Sequence, residues 1–562
     1  MIVVLAMCAP TAAGGQVTAS AELVVETQDR IDDDGNLASA EDTDGDNTYA
    51  SIQAAVDAAP NGALINVTTG VYNETVVIDK PNLVIIGDTG NSLPGAAGNA
   101  PLLDSSNTKT NAFKLLPSAT NVVIEGFEIQ EYTVSGVFPE VGSTQKIENL
   151  TVRDNTISDV AFGVALLNQD DDAVFEDMTV AKNEISNVQH GVNLIGNTGV
   201  SDIMDITVSE NTIRNANRDG IQFLAGDGIA EIRDLEISDN TIESVDRQGI
   251  ELVVDGDNGD SSITSAEITR NTVENTQSAI ELQSLSGGDV SSVDVRHNEL
   301  LNNDIGTLFN AGTSNDISIH YNAYEGNSDY AVDNTGADLL SAQNNWYGAN
   351  SGPAVSSNPQ GTGDAVSDSV DYDPFLNRTV ETQDGTAPVG ETVRVDVTAD
   401  AADVAGYELA LEWDGSVMNL TAVEGADFTS PTRSIDNPNG TATLTEARSD
   451  GVNEPVLATL VFNVTAPGQT DVSLDGAESA LFDFTGEAID SLAYDAGTVQ
   501  NSVPGSGDAN GDGQVNAGDV VLVQRYLVGD DVSIDLQAAD VDGDGDVDAG
   551  DALAIKQQIV EG

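Results

Sequence analysis

Between Leu150 and Asn345 the sequence returns again and again to one phrase: LTVRDNTI, MTVAKNEI, ITVSENTI, LEISDNTI, AEITRNTV, VDVRHNEL and ISIHYNAY. Each is a short apolar-alternating run carrying an asparagine: Asn155, Asn183, Asn211, Asn240, Asn271, Asn298 and Asn322. Successive subtraction gives spacings of 28, 28, 29, 31, 27 and 24 residues. A period of this size marks a solenoid, because a unit so thin buries its apolar face only against its neighbours.

The unit alternates with the period of a strand. Leu150, Val152 and Ile157 flank the first asparagine, and Val164 and Leu166 follow Gly163; Met178, Val180, Ile185, Val192 and Leu194 repeat the pattern, as do Ile206, Val208, Ile213, Ile221 and Phe223. Apolar residues at i and i+2 with polar ones between predict strands, and no long run here has helical spacing. Short strands, tight turns and a coil-length period predict a parallel β-helix in a mainly β chain. The asparagines read as a structural ladder, each suited to a left-handed turn and bonded through its amide to the next coil. They are not read as ligands.

Composition narrows the partners. A net charge of −75 and a pI near 4.1 argue against nucleic acid and anionic lipid, while 40% hydrophobic content with regular periodicity argues against disorder. The surface suits concentrated salt, where screening removes self-repulsion, and resembles that of haloarchaeal secreted proteins. The lone Cys8 allows no internal disulfide. It lies in the apolar run MIVVLAMCAPTAAGG, too short to span a bilayer. Residues 1–21 read as a signal peptide, truncated at its charged start, with Ala19-Ser20-Ala21 as cleavage site. Residues 22–46 read as an acidic, solvated leader. No other stretch is expected to cross a membrane.

The solenoid is expected over 47–378. Ile52, Ala55, Val56 and Ala59 share one helical face stopped by Pro60-Asn61-Gly62, forming a cap over the open end of the first coil. The Ile-Gln-Ala-Ala-Val helix, the turn Gly70 to Glu74 and the strand Ile85-Ile86-Gly87 resemble the start of pectin-lyase-like right-handed β-helix proteins. NNWYGANSGP, residues 344–353, resembles their closing motif. That resemblance implies the fold. For activity it implies a polysaccharide lyase, a glycoside hydrolase or a non-catalytic binder. The Gln-Asp-Thr-Leu and Asp-Phe-Ile-Phe-Gly motifs of methylesterases have no counterpart.

From 386 to 500, alternating runs such as TVRVDVTA, GYELALEW and LATLVFNVTA, broken by Gly, Pro and Asn, predict an antiparallel β-sandwich. GYELALEWDGSVMNLTAVEGADF, with LATLVFNVTAPGQTDVSL later, is similar to cohesin domains and related carbohydrate-binding sandwiches. Residues 501–507 form a Ser/Gly/Pro linker. Over 508–562 two loops share one frame. Asp508, Asn510, Asp512, Gln514 and Asp519 occupy positions 1, 3, 5, 7 and 12 of the first, with Asp540, Asp542, Asp544, Asp546 and Asp551 in the second. Gly513 and Gly545 stand at position 6, and each loop leads into an apolar helix. This spacing wraps oxygens around a hard cation, predicting two Ca2+ sites whose metal contributes much of the folding energy of so small a module. The duplicated loop–helix form with Asp at position 12 closely resembles type I dockerins. The resemblance implies a cohesin as partner, on this chain's own kind or on another scaffold.

One wall of the solenoid gathers titratable groups. Aligning coils on the glycine after each asparagine places Ala165, Asn193, Gln222, Glu251 and Glu281 in one outward row. Phe162, His190, Asp219, Gln248 and Ser278 lie just before the glycine position, and Arg218 and Arg247 one residue earlier. Neighbouring coils are about 4.8 Å apart, so His190, Arg218, Asp219, Arg247, Glu251 and Glu281 form one exposed candidate patch. The resemblance implies that such a wall meets acidic polysaccharide, an Arg neutralising a uronate or acting as base and paired carboxylates doing acid/base work. The alternative is a solvated sheet face whose arginines pair with carboxylates, in a structural or adhesive surface protein.

Overall fold

The computed structural model describes residues 21–25 and 48–561, apart from 88–99, 142–144, 169–172, 197–199, 227–228, 256–260, 286, 311–315, 337, 467, 502–505, 531 and 544. The signal-peptide assignment and most of the leader, with the loop 256–260, lie outside the described residues. The chain divides into two compact units at Leu376/Asn377.

In the first unit every strand pairing is parallel and runs from one coil to the next. One sheet stacks Lys146–Arg153, Ala173–Ala181, Val200–Ser209, Ile229–Ser238, Ser262–Thr269, Asp289–Arg296 and Ile317–His320. A second consists of three-residue strands such as Thr241–Glu243, Thr272–Glu274 and Glu299–Leu301. A third stacks Phe162–Asn168, the later part of Glu184–Gly196 and of Thr212–Ala225, Gln248–Asp255, Ser278–Leu285, Ile305–Asn310 and Tyr330–Asn334. This is the expected solenoid. Its core is made of vertical stacks, for example Val164, Val192, Ile221, Ile250 and Ile280 in register along the third sheet.

The asparagines form the expected ladder. From Asn155 to Asn322 each Nδ2 donates to the next asparagine's Oδ1 at 2.9–3.0 Å, and each backbone N–H donates to that same oxygen at 2.8–3.1 Å. Asn345, from the closing motif, is a further rung. The second Nδ2 hydrogen is taken by a carbonyl of the preceding coil, such as Val180 for Asn211. Only an amide of this length donates and accepts at once, so Asp and Gln both fail here. The turn geometry differs from expectation. The left-handed residue is the one before each asparagine: Asp154, Lys182, Glu210, Asp239, Arg270, His297, Tyr321 and Asn344, with φ between 55° and 58° for seven of them and 54° for Glu210. The ladder needs the asparagine's amide turned inward, so the strained backbone falls on its neighbour, whose side chain projects outward and is free to vary.

Glycine is required where coils approach closely. A Cβ on Gly191 would sit 2.6 Å from the Gly220 carbonyl oxygen and 2.8 Å from Ile213 methyls. The cap helix Ile52–Ala58 is held at both ends. Ser51 accepts from the Ala54 N–H, Glu74 accepts from the Ile52 and Gln53 N–H groups, and Lys80 donates to the carbonyls of Val56 and Ala59. One boundary is corrected: Ala21–Val25, divided between the signal peptide at Ala21 and the leader from Glu22, is a strand pairing with Ala63–Val67, with Leu23 and Val25 in the core. The alternation of Leu23 and Val25 is enough to extend an open sheet edge, despite the acidic residues that follow.

In the second unit a sandwich forms from two sheets. One runs Met418–Glu424, Val456–Val464, Thr392–Ala399, Thr379–Thr382 and Ala493–Asp495; the other is centred on Val404–Glu412 and Thr441–Val452. Trp413 packs edge-on against Phe462, and Tyr407 against Phe428. The sandwich begins earlier than the expected 386, since Val380 is fully buried in its core. The C-terminal module carries the two expected helices, Ala517–Leu527 and Ala549–Glu561, and a short turn of helix, Leu536–Ala539. Its core holds little beyond Ala509, Val520, Val523, Ala539, Val541, Ala552 and Ile555.

Replacing Asn211 by Ala strands the backbone N–H of Asn183 in the core, removes one of the three acceptors of its Nδ2, and takes a donor from the Val180 carbonyl. At about 1–3 kcal/mol per buried unsatisfied group, Asn211→Ala is expected to destabilise the solenoid by about 3–5 kcal/mol. Urea unfolding followed by circular dichroism measures this.

Candidate functional site

Register along the third sheet brings the candidate wall together. Ala165, Asn193, Gln222, Glu251 and Glu281 stand in line, as do Phe162, His190 and Asp219. Val192, Leu194, Ile221, Phe223, Ile250 and Leu252 on either side enter the core, so the row between them faces away from it. The expectation of an exposed patch fails for most of its members. Asn193 and Asp219 are 0% exposed, Glu251 and His190 4%, Glu281 5% and Gln248 6%. Facing away from the core is not the same as facing water, and in this row the buried amides and carboxyls one coil apart bond to each other.

The bonding is specific. Asn193 Nδ2 donates to Gln222 Oε1 at 2.6 Å; Gln222 Nε2 in turn donates to the Glu251 carboxylate and, at 3.3 Å, to Asp219 Oδ2. Gln248 Nε2 donates to Glu281 Oε2 at 2.7 Å. His190 Nδ1 lies 3.1 Å from Asp219 Oδ2 without hydrogen-bond alignment, and its ring stacks on Phe162 at 5.4 Å. Asn193, Gln222 and Gln248 were visible in the sequence as members of the aligned columns, but nothing there marked them as the amides that orient the carboxyls.

The arginines stay apart. Arg218 is exposed and Arg247 half-buried, and neither forms an ion pair with a described carboxylate. Burial pushes the Glu251 carboxyl up to about 7; the Asp219 charge adds to this, the Gln222 hydrogen bond opposes it, Glu281 adds further, and Arg247 opposes. Burial likewise raises Glu281, against the Gln248 hydrogen bond and Arg247. The row is not a metal cage. Among the described residues, Asp540, Asp542 and Asp551 are the one acidic trio with ligand oxygens all within 4.8 Å of one another.

That trio belongs to the second C-terminal loop. Asp551, at position 12, is fully buried; its Oδ1 accepts from the Val541 and Asp542 N–H groups and its Oδ2 from Asp548, tying the two ends of the loop together. Asp519 does the same in the first loop, accepting from Asn510 and Asn516. Asp508 accepts from Asp512 and Gly513, and Asp540 from Gly543 and Gly545. Gly513 and Gly545 have φ of 85° and 90°, as the sharp turn requires. Gln514 and Asp546 are exposed at position 7, where the ligand is a backbone carbonyl. Asp544 lies outside the described residues. Carboxylates converging with oxygen donors on a tight loop fit a hard divalent cation.

Comparison with known families agrees with this anatomy. The Right handed beta helix region family matches residues 142–347, the Cohesin domain family 377–500 and the Dockerin type I domain family 506–560. The chain is therefore a modular β-solenoid protein carrying a cohesin domain and a type I dockerin domain, and dockerins of this type bind calcium. Similar solved structures include the third cohesin of ScaC, in complex with the ScaB dockerin, from Acetivibrio cellulolyticus, with 15% identity over 22% of this chain and 97% of that one and a TM-score of 0.21. A non-cellulosomal cohesin from Archaeoglobus fulgidus shows 20% identity over 22% and 91%, with a TM-score of 0.20. The cohesin assignment rests on the family match. No curated protein matches the chain. No helix among the described residues is long and apolar enough to cross a membrane.

Two outcomes are expected. Calorimetric titration gives two Ca2+ per chain, and Asp551→Ala reduces this to one while lowering the helical signal of the module. Folding raises the pKa of Glu251 above its ordinary 4.5. The associated stability is therefore complete below about pH 4.5 and lost as pH rises through about 7. Glu251→Gln removes that loss, so relative to the parent it gains up to about 3 kcal/mol between acid and pH 8. Thermal unfolding at both pH values checks this.

Proposed function

We propose that this chain is an extracellular, calcium-docked polysaccharide-binding protein whose solenoid hydrolyses its glycan along the third sheet. One observation carries the catalytic part: Glu251 keeps its carboxyl proton near neutrality while packed with Asp219 and Glu281. A carboxyl that holds its proton near neutrality beside another carboxyl is what the general acid of glycoside hydrolysis requires. Glu251 is the proton donor in this reading, with Asp219 and Glu281 as the partner carboxyls. Gln222 positions Asp219 and Glu251, and Gln248 positions Glu281. A lyase reading is less favoured, because Arg218 and Arg247, the groups suited to a uronate, stand outside the bonded row.

Docking rests on the C-terminal module. Its two helices expose equivalent apolar residues 32 positions apart in the sequence: Val521 and Leu553, Leu527 and Ile559, Val528 and Val560. A water-exposed apolar stripe repeated in this way suits a protein partner, and a cohesin is the partner class the dockerin family supplies. Cohesin and dockerin modules are typical of extracellular cellulosome-type assemblies, which supports secretion. A second reading follows from the presence of both modules in one chain: a non-catalytic adhesive protein whose copies join head to tail, the solenoid serving as a spacer.

Incubating the chain with a panel of polysaccharides in concentrated salt and calcium separates these readings. The hydrolase reading expects new reducing ends without unsaturated products, reduced at least about 100-fold by Glu251→Gln. If no glycan is cleaved or retained, and sedimentation shows calcium-dependent self-association, the hydrolase reading falls and the coupler stands.

A further inference from the structure

The buried row has an uneven stock of hydrogen-bonding atoms. The side-chain amide nitrogens of Asn193, Gln222 and Gln248 are all engaged with oxygens in the row. Three atoms on side chains more than nine-tenths buried have no hydrogen-bond partner: Asn193 Oδ1, Gln248 Oε1 and His190 Nδ1. Both unpaired amide atoms are oxygens, and an oxygen only accepts. With Glu251 and Glu281 ionised, turning Asn193 and Gln222 over would set an amide oxygen against the Glu251 carboxylate, and turning Gln248 over would set its oxygen against Glu281, so the ionised row fixes the amide orientations. Leaving such acceptors dry is unfavourable, and a donating ligand recovers that loss.

Charge points the same way. Asp219, Glu251 and Glu281 bring three carboxyls into the row, and Arg247 is the cation whose field reaches Glu251 and Glu281. A uronate would add a fourth carboxyl group and more acceptors where acceptors are already in surplus. Its repulsion would be strong, because buried charges are poorly screened.

We infer that the glycan recognised by this row is a hydrogen-bond-donating one, neutral or amino, and not a polyuronate. The inference rests on the glycan-binding reading above and reverses the acidic substrate that family resemblance implies. Hydroxyl groups and a sugar ammonium both donate, so the two sources share one chemistry. Asn193 Oδ1 and Gln248 Oε1 receive the donors, and an ammonium would in addition pair with the carboxyls. The placement of both arginines off the row follows naturally, since a donor ligand has no use for them.

The test is affinity electrophoresis of the full chain, in concentrated salt with calcium, through gels containing a neutral β-glucan, partly deacetylated chitosan or polygalacturonate. Retention by the neutral or the amino glycan at least tenfold stronger than by polygalacturonate is expected, and the stronger of the two identifies the donor. Gln248→Leu, which keeps side-chain bulk and removes the open oxygen, should weaken that retention tenfold or more. Equal or stronger retention by polygalacturonate overturns the inference while leaving the glycan-binding reading intact. Retention by none of the three overturns both. Should Gln248→Leu fail to fold, the comparison of glycans on the unaltered chain decides the matter alone.

Discussion

The hydrogen bond from one asparagine amide to the next coil's asparagine oxygen is the contact on which the solenoid depends. Each rung satisfies two donors of the coil before it, the side-chain amide and the backbone N–H, on a single oxygen. Inside a core without water that backbone donor has no alternative. The amide therefore fixes where each coil begins, and every strand that follows inherits its register. The stacks of Val, Ile and Leu along the third sheet are a consequence of that origin, and so is the alignment of Asn193 with Gln222 and Glu251.

The same inheritance explains how far the sequence could be read. Coil length, strand period and the vertical neighbours of Glu251 followed from counting residues from one asparagine to the next. The paired loops of the dockerin module followed from oxygen-bearing residues at fixed offsets. What counting missed was solvation. An outward position in an isolated strand is wet, whereas Asp219, within amides and carboxyls drawn from four successive coils, is fully buried. Counting also misplaced the left-handed backbone by one residue, because asparagine tolerates that conformation and was needed for something else. The strand Ala21–Val25 was obscured by its acidic surroundings, and its partner Ala63–Val67 lies some forty residues further along.

Two kinds of negative charge do different work in this chain. Most of it is spread over the surface, where salt screens it. A small part is enclosed in the third-sheet row, where screening is weak and a proton, an amide or an incoming ligand has to compensate it. In the C-terminal module the compensating charge is a divalent ion. The row on the solenoid has amides instead, and these leave the proton on Glu251 as the adjustable component.

The close contact of Gly191 with the carbonyl of Gly220 carries a further implication for how such a chain changes over generations. A backbone stacked this tightly rejects one added residue within a strand, since that would turn every following side chain inside out. It readily accepts a whole extra turn copied from its neighbour. Growth and shrinkage of the rod should therefore come in complete coils, with odd residues confined to the corners between sheets.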